Sequence, residues 1–95
     1  MDIKSIVNNK VSNFSNKYHT LFNITLHKFE ENNKEIYFIF NIDISKNLKD
    51  MSDKDYIEFF NKLDKEFKSL FNDINKRSYV YISGFERIIK ISIVK

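Results

Sequence analysis

The chain has no cysteine, no proline and no tryptophan, and Gly84 is its single glycine. Each absence removes a class of chemistry. Without cysteine there is neither a disulfide framework nor a thiolate metal site. With one glycine, neither G-x-x-x-x-G-K nor G-x-G-x-x-G can be written, so no glycine-rich phosphate loop is available. No serine stands in a G-x-S-x-G setting. No apolar run approaches the ~20 residues that cross a bilayer, so no membrane partner is expected. MDIKSIVNNK lacks the continuous apolar core of a signal peptide, and a cytoplasmic location is the expectation. A dominant charge is missing too. The net charge is only +3, and the basic residues are dispersed among acidic ones rather than gathered into the stripe of a duplex binder.

What the chain does contain is skewed toward Lys, Asn, Ile and Phe, with lysine far outnumbering arginine. These are residues of AT-rich codons, which argues for an AT-rich genome and against reading each lysine as selected for function. The length of 95 residues predicts a single domain, residues 1–95, able to bury roughly 60% of its unfolded surface in one core.

The strongest pattern is SDKDYIEFFNKLDKEFKSLFNDINK, residues 52–76. Tyr56, Phe60, Leu63, Phe67, Leu70 and Ile74 recur at helical spacing, widened by Phe59 and Phe71. Asn61, Lys65, Lys68, Asn72 and Asn75 form the opposite, solvated face. Ser52 is a natural N-cap, Asp53 and Asp55 suit the positive end of the dipole, and Lys76 and Arg77 suit the other. Met51 can close over Tyr56 as a staple. Glu58–Lys62 and Asp64–Lys68 are i, i+4 pairs in the favourable order. The regular aromatic stripe reads as core rather than as a lipid or partner groove.

A second helix is expected over residues 2 to about 18, with Asp2 as cap and Ile3, Val7, Val11, Phe14 and Tyr18 on one face beside Ile6. Residues 21–30 and 35–44 alternate as strands. A two-residue turn at Asn32–Asn33 would mix core with surface positions. A loop of three or five residues is therefore expected, pairing Leu26 with Phe38, Ile24 with Phe40 and Phe22 with Ile42, with Asn33 left-handed. SKNLKDM reads as a polar connection. SYVYIS and ERIIKISIVK are further strands around Gly84–Phe85, with Val80, Ile82, Ile89, Ile91 and Ile93 inward. The fold class is α+β: a two-layer α-β-β-α-β-β domain, a four-stranded, mainly antiparallel sheet with both helices on one face. This order is similar in topology to the duplicated core of the LAGLIDADG endonucleases. The first helix has no Gly-Asp-Gly ending and no carboxylate in its last turn to hold a metal, so the endonuclease chemistry is not expected.

Candidate chemistry is sparse. His19 and His27 would need a carboxylate such as Asp43 to hold a metal, at a spacing that matches no motif. Glu30–Glu31 and Asp53/Asp55 have ordinary roles at a hairpin tip and a helix start. No catalytic, cofactor or metal residue is assigned. The unusual surface is the sheet face away from the helices, which is expected to display His27, Phe29, Tyr37, Ile39, Tyr79, Tyr81, Ile88 and Lys90. Such a face suits a protein partner or self-association as a homodimer. It also suits strand residues merely propping neighbours, or stacking of single-stranded bases, although no RNP consensus is present. Our expectation is a non-enzymatic protein-binding module, of the kind a phage or mobile element uses to inhibit a host defence enzyme such as a CRISPR effector. The contact is expected on the edge strands of the sheet and on this face, where the partner-binding candidates are His27, Tyr37, Ile39, Tyr79, Tyr81, Ile88 and Lys90. The alternative is a single-stranded nucleic-acid binder using Tyr37, Tyr79, Tyr81, Lys28 and Lys90.

Overall fold

The computed structural model describes residues 2–95. The Asp2 side chain accepts from the Lys4 N–H and starts helix α1, Ile3–Lys17. Val7, Val11 and Phe14 are buried along the expected face. Strands β1, Phe22–Glu31, and β2, Glu35–Ile44, follow. The expected polar connection holds one short helix, α2, Lys46–Lys49, because Leu48 turns fully into the core.

Helix α3 spans Asp53–Ser69, with the Ser52 hydroxyl accepting from the Asp55 N–H. It stops short of the expected Lys76. Asn72, Asp73 and Asn75 are poor helix formers whose side chains compete for backbone groups, and Asp73 pairs instead with Lys10 of α1 at 2.8 Å. Phe71 still reaches the core, and Ile74 packs on its margin. Of the two i, i+4 pairs, Asp64–Lys68 forms at 3.1 Å; Glu58–Lys62 does not. Strands β3, Ser78–Ser83, and β4, Ile88–Val94, complete the chain.

The sheet is antiparallel throughout, in the order β1-β2-β4-β3. Ile36, Phe38, Phe40 and Ile42 of β2 and Ile89, Ile91 and Ile93 of β4 are buried on one face. The helices cover that face. Phe14 of α1 meets Phe67 of α3 edge-on, with ring centroids 4.9 Å apart, so the helices close on each other as well as on the sheet. Each large apolar side chain fully buried here contributes ~1.5–3 kcal/mol. Ser15 is the one buried polar residue among those described. Its hydroxyl accepts from the Ile24 N–H at 3.0 Å and donates to Asn23 Oδ1 at 3.2 Å, tying α1 to the start of β1.

The first hairpin departs from the expected register. Phe22 pairs with Ile44, Ile24 with Ile42 and Leu26 with Phe40, each two residues from the expected partner. The loop is not odd. The Asn32 N–H donates to the Glu35 carbonyl, leaving a two-residue tip, Asn33–Lys34. The Asn32 side chain accepts from the N–H groups of Lys34 and Glu35. This Asx arrangement closes the tip without a left-handed Asn33. The parity conflict is resolved inside the strand. A β-bulge at His27 lets Lys28 pair with Ile39 and Phe29 with Phe38, so the alternation changes phase midway and both halves keep an apolar face on the core.

In the β3–β4 turn the glycine is required by space rather than by a left-handed backbone. Gly84 has no positive φ; among the described residues that conformation belongs to Arg87, at φ 57°. Gly84 is needed for close approach, since a Cβ there would lie 2.7 Å from the Phe60 ring. The Gly84 carbonyl also accepts from the Tyr56 hydroxyl at 2.6 Å, clamping the turn to α3.

Candidate binding surface

The helices leave the far face of the sheet open. Its side chains form cross-strand rows set by the register. One row runs Tyr79, Ser92, Tyr37, Glu30 and the next Tyr81, Lys90, Ile39, Lys28. A third joins Ser83, Ile88, Asn41 and Thr25. The alternation of β2, β3 and β4 puts these residues outward because their neighbours fill the core.

Six of the seven candidate residues therefore meet on one patch. Tyr37, Ile39, Ile88 and Lys90 are half-buried at its centre. Tyr79 and Tyr81 are 57% and 46% exposed on the β3 side. His27 occupies the bulge, exposed, without a β2 partner of its own. Phe29 does not belong to the patch. The bulge turns it to the helix side, where it stacks against Phe38 with centroids 5.1 Å apart and lies under the Lys4 ammonium. Lys28 takes the outward place instead.

Charges on the patch are held locally. The Tyr81 hydroxyl donates to Glu86 at 2.8 Å, and the Lys90 ammonium stands 5.9 Å from the Tyr81 ring centre. The Ser92 hydroxyl donates to the Glu35 carboxylate, and Lys28 pairs with Glu30 at 3.1 Å. Carboxylates thus sit among the lysines, and the face presents aromatic and aliphatic groups around Lys90, with its other charges toward the margin.

The perturbed titratable groups lie elsewhere. Hydrogen bonds from Lys17 and Tyr18 hold the Glu66 carboxyl below the ordinary glutamate range. Burial and the bond to Glu66 push the Tyr18 hydroxyl up. This cluster fastens the end of α1 to α3. His19 lies just past α1, its Nδ1 3.1 Å from the Asn16 carbonyl. Among the described residues no three His, Asp or Glu side chains converge as metal ligands, and no helix is long and apolar enough to cross a membrane.

The sequence reading missed the exposed apolar groups at the β3–β4 turn. Phe85 is 90% exposed and Ile57 of α3 49% exposed. They border a groove of about 380 Å³ lined also by Ile44, Leu48, Met51 and Tyr56. Two signals were present: a phenylalanine at the tip of a glycine turn, and an isoleucine outside the stripe of its helix. No family model matches the chain, and neither a curated protein nor a solved structure does.

Proposed function

We propose that the chain is a non-enzymatic protein-binding module that seats a partner on the far face of its sheet. The observation that carries this reading is the uncovered patch of Tyr37, Ile39, Tyr79, Tyr81 and Ile88, with Lys90 among them. Interface centres are enriched in aromatics and depleted of free charge, with polar groups at the rim. Lys28, Glu30, Glu35 and Glu86 supply such a rim. The AT-rich composition is the feature on which we propose a phage or mobile-element inhibitor of a host defence enzyme as the setting.

Capture from source-cell lysate, with and without nuclease, tests it. The expected result is a stoichiometric protein that persists after nuclease and is lost with Ile39→Asp or with the double variant Tyr79→Ala, Tyr81→Ala. Capture that depends on nucleic acid, or a protein retained unchanged by all these variants, overturns it. The adjacency of Lys90 and Tyr81 favours a second reading, stacking of single-stranded bases. That reading requires binding that weakens with added salt and loses ~1–3 kcal/mol on removing one stacking tyrosine. The carboxylates of Glu30, Glu35 and Glu86 on or beside the same face weigh against it.

A further inference from the structure

We propose that β3 pairs antiparallel with β3 of a second copy, joining both four-stranded sheets into one across a two-fold axis. The proposal concerns the edge of the sheet and stands independently of the far-face reading. Strand β3 is an edge strand. The Val94 N–H donates to the Arg77 carbonyl at 2.9 Å, which sets the phase of the ladder with β4. Residues 77, 79, 81 and 83 turn their backbone groups toward β4, and Ser78, Val80 and Ile82 turn theirs outward. These outward N–H and C=O groups form a template for another strand.

The two edges of the sheet differ in how they are protected. Strand β1 carries a bulge, Lys28, Glu30 and Glu31. Strand β3, SYVYIS, carries no charge, no proline and no bulge. An unprotected edge of β-branched and aromatic residues calls for a strand partner.

Two features make a second, antiparallel copy the fitting occupant. Lys76 and Arg77 precede β3 and Glu86 follows it, all exposed. Antiparallel pairing sets the cationic end of each strand beside the anionic end of the other, twice. Arg87, the other charge of the turn, lines the groove beside Ile44, Met51 and Asp53. The second feature is shape. Phe85 projects at the turn end of β3, and a groove of about 330 Å³ lies at the opposite end, lined by Lys68, Asn72, Ser78, Tyr79 and Val80. Under antiparallel pairing a knob and a hole at opposite ends of one strand meet twice, closing the contact on a two-fold axis. The lysine of the groove suits an incoming phenyl group.

Sedimentation of the purified chain over a range of concentrations provides the test, with two variants. Val80→Pro removes an outward N–H while leaving the β4 ladder intact. Phe85→Ser removes a side chain with almost no contacts of its own. The expected result is a reversible wild-type dimer, abolished by Val80→Pro and weakened at least ~tenfold by Phe85→Ser, with Ile39→Asp dimerising as wild type. If circular dichroism shows that Val80→Pro is unfolded, Phe85→Ser decides. A wild-type chain that stays monomeric throughout, or a dimer undiminished by the folded variants, overturns the proposal. Loss of the dimer in Ile39→Asp, with Phe85→Ser unaffected, overturns it as well and moves self-association to the far face.

Discussion

The units Ile3–Ile44 and Asp53–Val94 each run helix, strand, strand, and they take two-fold-related places in the sheet, β1-β2 beside β4-β3. They solve the same problem differently. The first joins long strands by an even-tipped hairpin and corrects the parity with a bulge at His27. The second has short, regular strands and concentrates its irregularity in the turn, at Gly84 and Arg87. The difference teaches where each half can absorb change. A bulged strand tolerates a change in length, whereas a turn clamped to a helix tolerates little added volume.

The largest expected effect falls where the units meet. Phe67→Ala removes a fully buried ring that touches both Phe14 of α1 and Phe71 beyond α3. A loss of ~3–5 kcal/mol is expected in denaturant unfolding. A much smaller loss would mean that the two helices pack on the sheet separately.

Within the second unit, Gly84→Ala drives a methyl group into the Phe60 ring and should cost ~1–3 kcal/mol. Arg87→Gly in the same turn should act in the opposite sense, stabilising by about 1 kcal/mol, because it relieves a side chain held at φ 57°. Thermal melts of the pair check both signs. Equal signs would show that the turn is not held in the observed conformation.

Deleting His27 probes the first unit. Removal of the bulged residue leaves regular pairing on both sides, so the chain should fold with a cost below about 1 kcal/mol. Amide-exchange protection of Tyr37 and Asn41, whose N–H groups turn toward β1, measures whether the strand survives. Loss of that protection would show that the bulge is required for β1 to pair at all.

The smallest effect is a change in pH dependence. The Glu66 carboxyl is held below its ordinary pKa by Lys17 and Tyr18. Its stabilisation is therefore full above the unfolded glutamate pKa and is lost as pH falls through the lowered folded value. Glu66→Gln should flatten the acid side of the stability–pH curve and also lessen its alkaline dependence, which runs through Tyr18. That hydroxyl has a raised folded pKa, so its contribution is full below the ordinary tyrosine pKa and is lost as pH rises through the folded value. An unchanged acid limb in Glu66→Gln would remove the cluster from the account.

Local chemistry is enough to determine much of this protein. Helical spacing with Ser52 and Asp2 as caps defines both long helices, and strict alternation in EIYFIFNIDI and IIKISIV defines the central strands and their buried faces. It also assigns Tyr37, Ile39, Tyr79, Tyr81, Ile88 and Lys90 to one open face, because side-chain direction in a strand follows from parity alone. Parity fails wherever one residue is added out of step, and only the tertiary structure decides where that occurs. The bulge at His27 reverses Phe29 and Lys28, because burying Phe29 against Phe38 favours a kinked strand over a regular one. The early end of α3, the inward turn of Leu48 and the exposure of Phe85 likewise depend on partners distant in sequence. Strand order is of the same kind. It places β3 at an edge, and an edge exists only once the other strands have chosen their neighbours.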